Sequence, residues 1–196
     1  MASPEHITIH NLSGNWELNK ELSDKLNDVL VIQGVPFLLR KLVNFATVSE
    51  TVAETKKTDG TCGLIVTKSV AGLFRGTADA FEGSGIEIIV PSTYLSPTVH
   101  VRSWWVDLSS KSEPKQPTGE LLDPYLLRDW LAEEPAGVPD HFAGRGFNAG
   151  SGVTDNMVWG FCLVGGKRYR AVKYYVCKGK QEVRARLVFN WVGKSG

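Results

Sequence analysis

The sequence predicts an all-β domain: a single antiparallel up-and-down barrel of about eight to ten strands, with a short N-terminal helical pair and a helix-containing insert. Three observations carry that expectation. Extended runs rich in β-branched and aromatic residues recur from about residue 46 to the C-terminus. Most are joined by turns of a few residues, which forces neighbouring strands to run antiparallel. A sheet of that size closes on itself, because closure removes edges that would otherwise pair with other chains.

The first strand begins at "SGNWEL", with Gly14 and Trp16. Ser23 then suits the N-cap of a short helix ending near Leu30, since its hydroxyl can accept from the free amides of the first turn. Gly34 suits a left-handed stop, and Pro36 the first position of a second helix. In that helix Phe37, Leu38, Leu39, Leu42 and Val43 form an apolar stripe against Arg40 and Lys41. The next strands pair around Asp59-Gly60, which supplies positive φ, and around Gly83-Ser84-Gly85. "TVHVRSWWVDL" is another strand, and three more follow near the C-terminus with turns at Gly165-Gly166 and Gly179. The pattern breaks from Ser109 to Asp155, a 109–155 insert that is Pro/Ser-rich at its start and Gly-rich at its end. Within it "LDPYLLRDWLAEE" reads as a helix with Asp123 as N-cap and Pro124 at the first position. An insert of that length is either a functional lid or surface decoration. His141 falls inside it and reads as a surface residue, and His6 and His10 as bystanders.

Composition narrows the classes of function. With 196 residues, 42% of them hydrophobic, the chain 1–196 reads as one domain around one core. Lys+Arg of 22 against Asp+Glu of 21 leaves a charge of +1, so no basic field exists to bind nucleic acid. No apolar run is long enough for an integral membrane segment, and the N-terminus lacks a secretory layout. The expectation is a soluble, cytoplasmic protein. Cys62, Cys162 and Cys177 are an odd number without metal-ligand spacing and read as core thiols, so no metal and no cofactor is expected. Walker, dinucleotide-binding, nucleophile-elbow and zinc-protease motifs are missing. The six tryptophans leave room for an interface patch and hence a homodimer.

Strand alternation sorts candidate site residues but does not say which face is inward. His100, Arg102 and Trp104 share one face of their strand; Val99, Val101, Ser103 and Trp105 share the other. If the first set faces the lumen, a cation, an imidazole and an indole line a cavity; if the second does, they lie outside. On the last strand the apolar set Val183, Ala185, Leu187, Phe189 and Trp191 wants the interior, which sends Arg184 and Arg186 outward. The strand before it sets Arg168, Arg170, Val172, Tyr174 and Val176 against Tyr169, Ala171, Lys173, Tyr175 and Cys177. Both of those faces are mixed, as in a strand lining a partly polar cavity.

A Gly-x-Trp on the first strand, a helical pair directly after it and about ten antiparallel strands resemble the calycins, the fatty-acid-binding-protein branch more than the true lipocalins. Gly14 and Trp16 match the first-strand motif. Asp24 to Lys41 match the helix-turn-helix lid, with Gly34-Val35 and Arg40-Lys41. Arg184-Ala185-Arg186 falls where that branch carries the Arg-x-Tyr that grips a ligand carboxylate, although Leu187 or Val188 replaces the tyrosine. The first 45 and last 40 residues look more specifically like small lipocalin-like proteins of filamentous fungi, some of which serve natural-product pathways as cofactor-free cyclases or isomerases. The resemblance implies a small lipophilic ligand held by Trp16, Phe37, Leu38, Trp104, Trp159 and Arg186. Two functions stay open on it. One is a cofactor-independent isomerase or cyclase, including Diels-Alder-type chemistry, with His100 or Arg102 as donor and Tyr174 or Asp107 as acid/base. The other is a non-catalytic carrier of a fatty acid or similar lipid.

Overall fold

The computed structural model describes residues 1–71, 74–91, 98–108, 114–135 and 137–194. In chain order the elements are β1 (Gly14–Leu18), α1 (Leu26–Ile32), α2 (Phe37–Phe45), β2 (Val48–Lys56), β3 (Cys62–Val70), β4 (Phe74–Phe81), β5 (Ser84–Pro91), β6 (Thr98–Val106), β7 (His141–Asn148), β8 (Val153–Val164), β9 (Lys167–Lys178) and β10 (Gln181–Gly193). The ten strands form one sheet ordered β4-β3-β2-β1-β10-β9-β8-β7-β6-β5. Each hydrogen-bonded pair is antiparallel. β4 and β5 are consecutive in the chain yet stand at opposite ends of that order, so the sheet curls into a nearly closed barrel with its seam between them. The hairpin expected at Gly83-Ser84-Gly85 is therefore a crossing of the seam, and its two strands do not pair. At the β8–β9 turn, Gly165 and Gly166 take φ of 56° and 75°, the primed geometry that matches strand twist and that side chains resist.

The lower end of the barrel is plugged. Ile7, Ile9 and Leu12, ahead of β1, have no exposed surface and pack with Trp16, Trp159, Phe161, Phe189 and Trp191. Trp16 donates its indole N–H to the Leu12 carbonyl at 3.1 Å and stands edge-on to Trp191 at 4.7 Å. Arg168 staples the segment by donating to the Pro4 and Ile7 carbonyls at 2.8 and 2.7 Å. Arg170 lies above this plug, wholly buried, with its guanidinium 4.4 Å from the Phe189 ring and 5.1 Å from the rings of Trp16 and Trp159. Its charge is met by Glu50, whose Oε2 accepts from Nη2 at 2.6 Å.

The opposite end is roofed by the helical pair. Val29 of α1 is buried against Val153, Val176 and Ala185. Ser23 is not a helix cap. Lys25 holds that position without a side-chain bond, while the Ser23 hydroxyl donates to the Asn19 carbonyl and accepts from the Val188 amide, joining the chain to β10. Gly34 takes φ of 77° as expected, and Pro36 precedes α2 as its N-cap rather than opening it.

The 109–155 insert is narrower than its sequence suggests, because residues 141–148 are β7, paired with both β6 and β8. Ser109 to Glu113 and Ala136 lie outside the described residues. From 114 to 135 the chain runs as a belt across the outer wall, and its expected helix shrinks to a 3-10 turn, Pro124–Leu127, with Asp123 accepting from the Tyr125 amide at 2.9 Å. Leu122 and Leu126 pack on the outward faces of Trp104, Val106, Ala143 and Val158, so this stretch clads the side of the barrel instead of covering its mouth.

A buried charge stripped of its partner is far more costly than an apolar pair of the same size. Glu50→Leu alone is expected to lower stability by about 3–5 kcal/mol in urea unfolding, and the double change Glu50→Leu with Arg170→Met to recover most of that loss.

Candidate functional site

Above the plug the barrel encloses a cavity of about 520 Å³, within the range of small-molecule sites. Its walls are mostly aliphatic, with Leu39, Leu42 and Val43 from α2, Val99 and Val101 from β6, and Met157, Leu187 and Phe189 from the later strands. Glu50, Lys68, Asp79, Asp155, Tyr174 and Gln33 supply the main polar surface.

Register explains how these polar groups meet. Glu50 of β2 stands directly opposite Lys68 of β3. Lys68 donates to Asp79 of β4 at 2.9 Å. Charges therefore alternate from Arg170 on β9, across the floor, to Glu50, Lys68 and Asp79 on the adjacent strands β2, β3 and β4. The Lys68 and Asp79 side chains keep 46% and 39% of their surface accessible, and both line the cavity, so they can be reached by a ligand. Burial works against the Lys68 charge, but Asp79, Tyr174 and Glu50 outweigh it and hold the ammonium above the ordinary lysine range. On the facing wall, burial pushes the Tyr174 phenol up to about 12. Its hydroxyl makes no hydrogen bond among the described residues. At neutral pH both groups are donors: Lys68 has two N–H bonds beyond the one given to Asp79, and Tyr174 has its O–H. Asp155 on β8, raised by burial to about 6, accepts from Gln33 at the end of α1 at 3.1 Å.

Of the residues assigned from sequence to catalysis or ligand binding, Tyr174 alone lines this cavity, whereas Leu187 and Phe189, expected inward from the pattern of the last strand, do line it. β6 turns Val99 and Val101 inward, which puts His100, Arg102 and Trp104 outside. There His100 Nδ1 meets Glu87 at 3.0 Å, Arg102 lies 3.6 Å from the same carboxylate, and Trp104 is covered by the belt. Asp107, past the end of β6, accepts from the Gly137 amide at 2.9 Å and is no part of the lining. Arg186 also faces out, as its strand pattern required, and its backbone amide donates to Asp24 at 2.7 Å. Trp16 and Trp159 belong to the plug beneath the cavity. Phe37 and Leu38 are 63% and 78% exposed on the far side of α2, because Leu39, Leu42 and Val43 take the inward stripe.

Lys68, Asp79, Glu50 and Asp155 escaped the sequence reading, yet they carry a signal. Glu50 lies between Val48 and Val52 on its strand face, Lys68 between Val66 and Val70, and Asp155 between Val153 and Met157. One charge amid an apolar face marks a polar point in a lumen.

His141 is not a surface residue either. It is 1% exposed beside a second hollow of about 130 Å³ under the belt, with Nδ1 2.5 Å from Asp140 Oδ1. Its ring lies so close over β8 that a Cβ at Gly160 would sit 2.4 Å from it, so the position requires glycine. Burial lowers its basicity and favours the neutral imidazole. Among the described residues no group of three or more His, Cys, Asp or Glu side chains is placed to hold a metal ion. No described helix is long and apolar enough to cross a membrane.

Comparison with known proteins agrees with this geometry. No family model matches the chain. It is 28% identical over 197 residues to a probable pericyclase of Mollisia scopiformis, covering 98% of this chain and 95% of that one. It is 29% identical over 198 residues to a pericyclase of an Acremonium species, covering 98% of both. Among solved structures it superposes on a Schistosoma mansoni fatty acid binding protein in complex with arachidonic acid, with a TM-score of 0.53 at 13% identity over 92% of this chain and 96% of that one. The fluorescent protein UnaG matches with a TM-score of 0.52 at 11% identity over 94% of this chain and 100% of that one. The fold is a nearly closed, calycin-like barrel similar to that of the fatty acid binding proteins.

The raised Asp155 has a consequence for stability. Its ordinary value is 3.8 and its folded value about 6, so the folded chain holds a proton that the unfolded chain releases. That contribution is complete below the unfolded value and lost as pH rises through the folded one. Asp155→Asn, which keeps an acceptor for Gln33, is expected to exceed the parent in stability by on the order of 1–3 kcal/mol near pH 8, with the gap closing toward pH 4. Urea unfolding of both proteins at the two pH values measures it.

Proposed function

We propose that this protein is a cofactor-independent cyclase of the pericyclase kind, acting on a flexible, lipophilic natural-product intermediate inside the barrel. The observation that carries the reading is an aliphatic cavity with two donors, Lys68 and Tyr174, aimed into it with hydrogen-bonding capacity to spare. The full-length similarity to two fungal pericyclases supports it.

A pericyclic ring closure redistributes π electrons into new σ bonds within one molecule. No atom is gained or lost, and no proton, electron or leaving group needs a carrier. The protein has two tasks. The aliphatic wall selects the folded conformers in which the reacting termini meet, removing rotational freedom that the free chain would have to lose at the barrier. Lys68 and Tyr174 bond to a carbonyl conjugated with the reacting π system and stabilise the charge that builds on its oxygen once the bound substrate has displaced water from the cavity. Glu50 and Asp79 position Lys68 and keep it charged.

A carrier of a fatty acid or similar lipid is the second reading, favoured by the structural likeness to a fatty acid binding protein in complex with arachidonic acid. The two separate on the fate of the ligand. Whatever co-purifies is identified by mass spectrometry, its linear precursor is returned to the stripped protein, and the mixture is followed by chromatography and absorbance. Cyclisation yields a product of unchanged mass, shifted retention and reduced conjugation; a precursor recovered unaltered would sink the enzyme reading. On an active substrate, Lys68→Met combined with Asp79→Asn, so that no carboxylate is stranded, is expected to slow turnover about 10–100-fold. Tyr174→Phe should slow it about 3–30-fold, and His100→Ala and Arg102→Ala should leave it unchanged.

A further inference from the structure

The lumen of this barrel holds no uncompensated positive charge among the described residues. Arg170 is paired with Glu50 at 2.6 Å and Lys68 with Asp79 at 2.9 Å. Asp155 adds a third carboxyl on the wall, with Gln33 as its hydrogen-bond partner. Among the described residues two cations therefore face three acids. An entering carboxylate that took one of the remaining Lys68 N–H bonds would share a single ammonium with Asp79 and stand as an uncompensated anion on a wall that already carries Glu50 and Asp155, a costly state. The two arginines that resemblance would assign to a carboxylate, Arg184 and Arg186, are on the outer wall. Arg184 is already bound there to Asp123 at 2.8 Å and to Glu182 at 2.7 Å.

An uncharged head group meets none of this resistance. Lys68 gives one N–H to Asp79 Oδ2 and has two more; Asp79 Oδ1 has no partner among the described residues. The pair thus presents a donor and an acceptor side by side, both open to the cavity. A carbonyl can take a free Lys68 N–H, and an adjacent N–H can be given to Asp79, without breaking the ion pair.

We infer that the cavity selects an uncharged head group with an acceptor and a donor side by side, a carboxamide or lactam on a lipophilic chain, and rejects the corresponding free carboxylate. The inference rests on the site described under the proposed function and names the chemistry of its ligand. It also separates this barrel from a fatty-acid carrier by charge pairing rather than by shape.

The test compares two ligands that differ only at the head group. Nile red, an uncharged dye, is loaded into the purified full-length protein near pH 8 and displaced with oleamide or with oleate. Oleamide is expected to displace the dye at a concentration at least about tenfold lower, corresponding to about 1.4 kcal/mol. Asp79→Asn frees Lys68 for an incoming anion, so the preference should collapse or reverse. Lys68→Met should abolish the preference by weakening oleamide, and it provides the check if Asp79→Asn fails to fold. Equal displacement, tighter oleate, or no displacement by either ligand with the parent protein overturns the inference. Because the measurement is binding alone, it stands whether or not the protein proves to cyclise a substrate, and a failure here leaves the turnover experiment untouched.

Discussion

The structure depends on one buried ion pair, Arg170 with Glu50, at the level where the solid plug becomes a hollow lumen. A guanidinium with no exposed surface, ringed by Trp16, Trp159 and Phe189, is tolerable only because a carboxylate meets it at 2.6 Å and aromatic faces meet the rest of its charge. Glu50 is in turn committed to that level and cannot serve a ligand alone. The next charge along the wall, Lys68, is fixed opposite it by β-register and meets Asp79 on its other side. The cavity's polar chemistry is thus set from below, by how the barrel closes its own floor.

The architecture was readable because each of its signals is local. Short Gly-containing turns, β-branched runs, Gly34 after α1 and Trp16 at the start of β1 all act over a few residues. The site was not readable, for a physical reason visible in β6. Its outer face is wet at His100 and Arg102 but dry at Trp104 and Val106, where the 114–135 belt covers it. Its inner face is dry at Val99 and Val101, where it lines the cavity, and again at Trp105, which packs edge-on to Phe142 at 4.8 Å. With apolar residues on both faces, alternation cannot assign an inside. The lumen of β2 and β3 misleads in the opposite sense, since Glu50 and Lys68 look like solvent-facing residues unless the valines two positions to either side are weighed with them.

Arg186 shows how pattern and resemblance can conflict. Resemblance put it on a ligand carboxylate; the continuous face of Ala185, Leu187, Phe189 and Trp191 put it outside, and the packing of those side chains decides, since four apolar groups outweigh one motif. Among the described residues the inner arginine is Arg170, one strand earlier and set in the floor. A fold shared with fatty acid binding proteins therefore does not bring their charge arrangement with it, and function has to be argued from the lumen itself.

The two ends of the barrel are held very differently, which bears on how the proposed ligand would enter. The plug is tied by Arg168 to two carbonyls, by Trp16 to a third, and by side chains with no exposed surface. The roof has no such anchoring at α2, which buries no residue completely and is tied through Lys20 to the carbonyls of Val43, Asn44 and Ala46 near its C-terminal end. Segments with few buried contacts and exposed polar ties open at the lowest free-energy cost. A rigid floor with a paired charge array and a lightly held roof are the separate requirements of a site that must admit a long flexible chain and then hold its head group in one place. Both features stand here at opposite ends of one ten-stranded sheet.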